Sequence, residues 1–200
     1  CGAYEAGKLH RIIDSSLCCK ARLLHYFSKD GGDDVGEMVD TEGFSSWCGW
    51  HNDHGSLTGL TSAMYLDEEG KETKNMDTDA GLYIKDRKGQ IIKAAFPADC
   101  LAFQIGETAQ IHSGGILQAT PHAVRGSRDS SVTRETFAVF MEPNWDEMMI
   151  MPEGMNMEHA QGKEAEAHLP KGVPLLRSRW EGNGQDFGLF TEATIKAYYQ

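Results

Sequence analysis

The sequence of 200 residues lacks the features that mark several large classes of protein. It has no apolar run of membrane-spanning length, no secretion signal and no glycine-rich phosphate-binding loop. Basic residues are in the minority, with 19 against 30 acidic residues and a net charge of −11. Since nucleic acids and anionic membranes attract basic surfaces, we expect neither of them as a partner.

The five cysteines do not form a disulfide framework or a zinc-binding pattern. Their number is odd, Cys18 and Cys19 are adjacent, and none of them belongs to a C-x-x-C pair. We therefore expect reduced thiols and a cytoplasmic protein. The chain begins with Cys1 rather than Met, which indicates a fragment or a processed form.

The apolar pattern predicts a mainly β domain between two helices. Residues 4–19 have apolar side chains near one helical face, and residues 187–200 predict a closing helix with Thr191 as its N-cap. Polar loops are predicted at residues 28–43 and 67–80. Strands are predicted at residues 21–27, 44–50, 57–66, 82–85, 90–94, 100–105, 119–125 and 133–141, and the first of them is expected to be buried. The turn sequence D-R-K-G at residues 86–89 predicts that the strands at 82–85 and 90–94 form a hairpin. Short strands separated by turns are typical of an antiparallel sandwich or barrel.

The segment W-H-N-D-H-G-S-L at residues 50–57 places an imidazole and a carboxylate two residues apart. If the segment is extended, alternation points His51 and Asp53 to the same side and turns His54 to the other. Two histidines and one carboxylate on one side can hold a non-haem Fe(II) and leave positions open for oxygen and substrate. The sequence thus predicts two parts of an iron site, and the second histidine must come from elsewhere.

Two downstream histidines are candidates for the remaining ligand. His112 is followed by Ser113-Gly114-Gly115, which indicates a turn. His122 lies in the stretch T-P-H-A-V-R, where an apolar strand begins. A metal ligand needs a rigid support, and this favours His122, with His112 as the alternative.

A series of motifs in chain order is more specific than any one of them. They are H-x-D-x-G-x-L-T at 51–58, G-L-Y-I at 81–84, F-Q-I-G-E at 103–107, T-P-H-A-V at 120–124 and R-E-T-F at 134–137. Together they resemble the Fe(II)- and 2-oxoglutarate-dependent dioxygenases of the isopenicillin N synthase-like branch, over residues 23–143. The sequence departs from that branch in its longer loop at 67–80 and in lacking most of the N-terminal region.

The resemblance implies a double-stranded β-helix, or jelly roll, with flanking N- and C-terminal helices. It divides the chain into an N-terminal helical remnant at 1–22, a dioxygenase core at 23–143 and a C-terminal extension with a helix at 144–200. Residue by residue, it implies that His51, Asp53 and His122 bind Fe(II).

The resemblance also implies a site for the co-substrate. Arg134 would hold the distal carboxylate of 2-oxoglutarate, because a planar guanidinium pairs bidentately with a carboxylate. Thr136 stands where the family usually has Ser and keeps the hydroxyl. Tyr26 falls where the family often has a Tyr in contact with the co-substrate, although Phe27 replaces the usual Pro after it.

The implied activity couples the decarboxylation of 2-oxoglutarate to succinate with the hydroxylation or desaturation of a small organic substrate, using Fe(II) and molecular oxygen. Two alternatives stay open. An iron oxidase of the same branch would not use 2-oxoglutarate, and Arg134 would then bind a carboxylate of the substrate. A non-catalytic jelly roll would only bind a metal or a ligand. The motifs do not indicate the substrate or the oligomeric state.

Overall fold

The computed structural model consists mainly of antiparallel β-strands and describes residues 4–28 and 46–199. The strands are β1 (Lys20–Tyr26), β2 (Ser46–His51), β3 (Leu57–Thr61), β4 (Met64–Leu66), β5 (Glu72–Thr73), β6 (Gly81–Lys85), β7 (Ile91–Lys93), β8 (Leu101–Ile105), β9 (His122–Arg125) and β10 (Thr133–Met141). The helices are α1 (Lys8–Asp14), α2 (Glu107–His112), α3 (Met157–Ala160), α4 (Lys163–Glu166) and α5 (Phe187–Tyr198), with a 3-10 turn at Leu176–Ser178. The predicted mainly β class is confirmed.

Strand β10 is the centre of the larger of the two sheets. The whole of β1 pairs along one side of it, from Lys20 opposite Phe140 to Tyr26 opposite Arg134. On its other side, β3 and β4 pair with different parts of the strand, and β8 and β5 lie beyond them. Because side chains alternate along a strand, every second residue of β10 faces a central cavity: Arg134, Thr136, Ala138 and Phe140.

The smaller sheet contains two of the predicted iron ligands. Its strand order is β2-β9-β6-β7, and its antiparallel pairing places His51 opposite His122. The pairing of β2 with β9 is irregular on either side of Cys48. Two histidines that are distant in the sequence therefore lie side by side where β2 ends.

The hairpin predicted at residues 82–94 is present as β6 and β7. Its turn is closed by the Gly89 N–H, which donates to Asp86 O at 3.0 Å. Gly89 has a φ of 79°, a conformation that side chains with a Cβ rarely adopt. The turn residues recognised in the sequence thus form the turn for the reason expected.

Both predicted terminal helices are present, but the first is shorter than predicted and the last has a different N-cap. Helix α1 covers only Lys8–Asp14 of the predicted residues 4–19. Helix α5 begins after Asp186, whose carboxylate accepts the Leu189 N–H at 2.8 Å. The prediction of Thr191 as the N-cap is wrong, because the helix already starts at Asp186 and Thr191 is buried within it. No helix in the described part of the chain combines the length and the apolar character needed to cross a membrane.

Strand β1 is more exposed than the buried strand predicted at residues 21–27. On its outer face Leu23 is 86% exposed, and Phe27, just after the strand, is 74% exposed. The inner face, with Arg22, Leu24 and Tyr26, lines the cavity. The prediction of burial is wrong because a run of apolar residues does not show whether both faces of a strand are covered.

The predicted acidic loop at residues 67–80 contains the short strand β5 and is fastened at its end by an arginine. Arg128 Nη2 lies 2.9 Å from Asp77 Oδ1 and 2.8 Å from Asp79 Oδ2. The side-chain hydrogen bond from Arg128 holds the pKa of the Asp77 carboxyl far below its usual value. In the loop predicted at residues 28–43, all residues after Ser28 lie outside the described residues.

The larger apolar core, as formed by the described residues, contains no residue of a strand. Its buried members are Ile111, Met149, Ala160, Leu176, Trp180, Phe187 and Phe190. All of them except Ile111 of α2 come from residues 144–200. Trp180 also donates its indole N–H to Met149 O at 3.1 Å. The C-terminal extension is therefore a main source of buried apolar surface and not a simple addition to the sheets.

Candidate metal centre and co-substrate pocket

His51, Asp53 and His122 converge on one part of the cavity, which we call the metal end. Each residue offers one ligand atom, and these atoms all lie within 4.8 Å of one another. Asp53 Oδ1 is 4.0 Å from His51 Nε2 and 3.8 Å from His122 Nε2. Two imidazole nitrogens and one carboxylate oxygen that surround a common point form the donor set of a 2-His-1-carboxylate site.

Backbone carbonyls orient both imidazoles toward this point. His51 Nδ1 is 2.8 Å from Gly49 O, and His122 Nδ1 is 3.1 Å from Thr120 O. A carbonyl oxygen can only accept, so a proton on Nδ1 of each ring would satisfy these contacts and leave Nε2 as the atom that binds a metal. Hydrogen bonds of this kind at the second ring nitrogen are typical of metal-bound histidines.

Asp53 is oriented by two side chains of the larger sheet. Its Oδ2 accepts from Thr58 Oγ1 at 2.6 Å and from Gln104 Nε2 at 3.2 Å, which leaves Oδ1 facing the imidazoles. Gln104 Nε2 also lies 3.0 Å from His122 Nε2. The sequence motifs include Thr58 and Gln104 but indicate neither role, because both contacts depend on how the two sheets meet.

The two imidazoles have opposite pKa shifts. Burial opposes the charged form of His51, but its contacts with Cys48, Gly49 O and Asp53 outweigh burial and raise its pKa to about 9. Burial and then the charge of His51 lower the pKa of His122 to about 4. A metal ion that binds Nε2 of both rings must therefore displace a proton more readily held by His51 than by His122.

A second part of the cavity, the arginine end, is formed by Arg134, Thr136 and Tyr26. Arg134 lies on the same face of β10 as Phe140, whose partner on β3 is Thr58. Arg134 therefore lines the same cavity as the metal end. Its side chain is buried, and its Nε and Nη1 have no hydrogen-bond partner among the described residues. A buried guanidinium with two unpaired nitrogens is unfavourable, so this position suits an anionic ligand.

The other two residues of the arginine end lie beside Arg134. Tyr26 is its cross-strand partner, and the guanidinium carbon lies 5.1 Å from the centre of the Tyr26 ring. Burial raises the pKa of Tyr26, so its hydroxyl stays neutral. Thr136 Oγ1 donates to Thr61 O at 3.3 Å. All six predicted site residues therefore line one cavity of about 510 Å³, within the range of small-ligand sites.

The two other histidines weighed as ligands contribute no atom to the cluster. His54 stacks on Phe187 with a centroid distance of 5.7 Å. His112 lies on α2, where its Nε2 is 3.1 Å from Met148 O and burial lowers its pKa to about 4. The expectation that the H-x-D segment is a strand is only partly right, because β2 ends at His51 and Asp53 lies beyond it.

A buried ion pair that no sequence motif indicates lies behind the metal end. Arg179 Nη1 and Nη2 each lie 2.6 Å from a carboxylate oxygen of Glu107. Arg179 carries a raised pKa: burial opposes its charged form, and the hydrogen bonds to Glu107 outweigh that effect. Glu107 belongs to the F-Q-I-G-E motif, but its partner is 72 residues away, so local pattern could not reveal the pair.

No family model and no curated protein sequence matches the chain. Similarity is found among solved structures. A full-length Neurospora crassa protein, in complex with alpha-KG and 5-formyluracil, has a TM-score of 0.52 and 21% identity, over 90% of this chain and 46% of that chain. Dioxygenase for auxin oxidation 1 from Arabidopsis thaliana, in a complex with 2-oxoglutarate, has a TM-score of 0.50 and 22% identity, over 70% and 44%.

A third solved structure is that of a Caulobacter crescentus protein described as a member of the 2OG-Fe(II) oxygenase family. It has a TM-score of 0.54 and 18% identity, over 89% of this chain and 45% of that chain. The present chain spans less than half the length of these three solved chains. It has the fold of 2OG-Fe(II) oxygenases, and the resemblance expected from the motifs is confirmed at the level of the fold.

Proposed function

We propose that the chain carries the active site of an Fe(II)- and 2-oxoglutarate-dependent oxygenase that acts on a small organic molecule. One observation supports this above all others. A cluster of two imidazoles and a carboxylate shares a single cavity with a buried guanidinium whose Nε and Nη1 have no partners among the described residues. A metal site alone would not need the guanidinium, and a metal plus a dicarboxylate co-substrate needs both.

The donors present fit the proposed groups. His51, Asp53 and His122 would hold Fe(II), for which imidazole and carboxylate are suitable ligands. Arg134 would pair with the distal carboxylate of 2-oxoglutarate, with Thr136 and Tyr26 beside it. Iron and 2-oxoglutarate bound there would direct molecular oxygen to the oxidation of the substrate and yield succinate and carbon dioxide.

The chain's own residues would orient these groups and limit access of water. Thr58 and Gln104 hold Asp53 so that one carboxylate oxygen points to the metal position. Apolar side chains from both sheets line the space between the two ends and would exclude bulk water from the reacting atoms. They are Leu24, Leu60, Leu82, Val124 and Ala138.

We place the substrate against the wall formed by Arg22, Phe140 and Ile195 of α5. The Arg22 guanidinium lies 5.1 Å from the centre of the Phe140 ring and is exposed to the cavity opening. A small, flat molecule with a group that accepts hydrogen bonds suits such a wall. Thymine and 5-formyluracil, the ligands of the Neurospora crassa structures, are molecules of this size.

We further propose that the two sheets are the halves of a double-stranded β-helix. A cavity lined by strands of both sheets supports that arrangement. In this proposal residues 23–143 are the oxygenase core, flanked by a helical segment at 1–22 and the extension at 144–200, and the protein acts in the cytoplasm.

The proposed function is tested by turnover. The chain loaded anaerobically with Fe(II) is exposed to oxygen with 2-oxoglutarate and a library of small metabolites, and succinate is measured. We expect succinate formation that a substrate accelerates and that His122→Ala abolishes. Iron binding without succinate from any mixture would favour an iron oxidase or a binding protein, and a chain without affinity for iron would contradict the proposal altogether.

A further inference from the structure

Asn52, the residue between two proposed iron ligands, is held from two directions. Its backbone N–H donates to the Tyr198 hydroxyl at 3.1 Å. Its side-chain Nδ2 donates to Glu107 Oε1 at 3.1 Å. Because His51 and Asp53 flank this residue, a rotation of the backbone at Asn52 would move both ligands.

Both contacts lead to the C-terminal extension. Tyr198 belongs to α5, and Glu107 is paired with Arg179. Arg179 in turn donates to Thr194 Oγ1 of α5 at 3.0 Å and has its guanidinium carbon 5.7 Å from the centre of the Phe190 ring. Helix α5 therefore contacts Asn52 by two routes: directly through Tyr198, and indirectly through Arg179 and Glu107.

The residues of α5 that make these contacts are Phe190, Thr194 and Tyr198, spaced four residues apart. Residues at this spacing lie on one face of a helix. On that face, Phe190 and Thr194 contact Arg179, and the Tyr198 hydroxyl accepts the Asn52 N–H. The alignment of all three contacts on one face makes α5 a single support for the metal end.

The start of α2 joins the same support to the backbone around Asp53. Glu107 N donates to Asp53 O at 2.8 Å, and Thr108 N donates to Gly55 O at 3.1 Å. The backbones approach so closely that a Cβ on Gly106 would lie 2.1 Å from Gly55 O. The segment from Asn52 to Gly55 thus has little freedom to move independently of Glu107.

We propose that Tyr198 and Arg179 are positioning residues of the metal site, through which helix α5 sets the metal affinity and the coordination geometry. Tyr198 acts on the Asn52 backbone, and Arg179 acts through Glu107 on the Asn52 side chain. This inference rests on the proposed function, because it takes His51 and Asp53 as metal ligands. Residues that orient metal ligands typically change metal affinity 10–100-fold when altered.

Tyr198→Phe tests the first route, because it removes only the hydroxyl. Tyr4→Phe is a matched control, because the Tyr4 hydroxyl also accepts a backbone N–H, that of Leu9 in α1, at 3.1 Å. Tyr4 does not line the cavity that contains the metal end. The probe is Co(II) under anaerobic conditions, whose visible spectrum reports coordination geometry. We expect about a tenfold higher Kd and a changed Co(II) spectrum for Tyr198→Phe, and wild-type values for Tyr4→Phe.

Thr194→Val tests the second route without breaking the buried ion pair, because it removes only the hydroxyl that accepts from Arg179. Thr191→Val is its control: Thr191 is equally buried on α5, but its hydroxyl has no partner among the described residues. We expect about a threefold rise of the Co(II) Kd for Thr194→Val and none for Thr191→Val. Unfolding midpoints of all four variants separate a loss of positioning from a loss of stability.

An unchanged Co(II) affinity and spectrum in both Tyr198→Phe and Thr194→Val would overturn the inference. The inference would also be overturned if both variants lowered the unfolding midpoint together with the metal affinity and left the Co(II) spectrum unchanged, because a loss of stability would then explain the weaker binding. Failure of the oxygenase function gives a different result. The wild type would then bind Co(II), and His122→Ala would not, but the Fe(II)-loaded wild type would form no succinate in the turnover test. Wild-type protein that does not bind Co(II) would contradict both proposals.

Discussion

The metal end and the arginine end of the cavity are prepared for their ligands in opposite ways. At the metal end, protein groups already occupy the atoms that do not face the centre: Nδ1 of both histidines and Oδ2 of Asp53. At the arginine end, two nitrogens of a buried guanidinium have no partner among the described residues. The metal end is thus organised before its ligand arrives, whereas the arginine end is completed only by an anion.

This difference predicts an order of dependence. Metal binding should need the three ligand residues but not Arg134, because no contact of the metal end within residues 4–28 and 46–199 involves that side chain. Binding of 2-oxoglutarate should need both ends, since one carboxylate would lie at each. Variants that affect one end and spare the other therefore test the comparison directly.

The largest expected effect is that of His122→Ala. Loss of one of three protein ligands should abolish measurable Fe(II) binding in an anaerobic equilibrium titration. His112→Ala is the matched control, since it removes a buried imidazole that lies outside the cluster. If His112→Ala abolished iron binding and His122→Ala did not, the choice between the two histidines would be wrong.

Arg134→Leu should act on the co-substrate alone. We expect the affinity for 2-oxoglutarate to fall by two or more orders of magnitude, about 3 kcal/mol, and the Fe(II) affinity to stay unchanged. In the absence of 2-oxoglutarate the variant should unfold at a higher temperature, because it removes a buried charge whose Nε and Nη1 have no partner among the described residues. An unchanged 2-oxoglutarate affinity, measured by calorimetry on the metal-loaded protein, would contradict the role of Arg134.

A smaller effect is expected from His112, the buried histidine that is not a metal ligand, on the pH dependence of stability. Burial holds the pKa of His112 at about 4, below the 6.5 of an unfolded chain, so the unfolded state binds the proton more readily. Stability should be present above pH 6.5 and fall between pH 6.5 and 4, by about 3 kcal/mol. The free energy of unfolding of His112→Gln, measured against pH in denaturant, should lose this component.

The exposed His168 supplies the control for that measurement. His168→Gln makes the same substitution at an exposed position and is measured in the same denaturant series. A His112→Gln profile as steep as that of the wild type would show that other groups cause the loss of stability in acid.

Features with a local origin could be predicted from the sequence. The strands, the hairpin turn at Gly89 and the separation of His51 from Asp53 all depend on neighbouring residues. The motifs also directed attention to Arg134, which the structure places, buried, in the same cavity as the histidines. Local pattern was sufficient for the strands and the turn because each is carried by a few adjacent positions, whereas Arg134 was expected only from the resemblance of the whole motif series.

Features that depend on distant contacts could not be predicted. The Glu107–Arg179 pair joins residues 72 positions apart, and Gln104 touches Asp53 and His122 because the two sheets meet there. The exposure of Leu23 depends on what covers the outer face of β1, which its own sequence does not encode. In each case the tertiary arrangement, and not a local preference, decides the outcome.

The central claim is that both ends of the cavity bind one co-substrate together with the metal. The most direct measurement is the visible absorption of the anaerobic Fe(II)-loaded protein during a titration with 2-oxoglutarate. We predict a weak charge-transfer band that saturates in the wild type and is lost in Arg134→Leu, which still binds Fe(II). A wild-type protein that binds Fe(II) but shows no such band at any concentration of 2-oxoglutarate would contradict the claim.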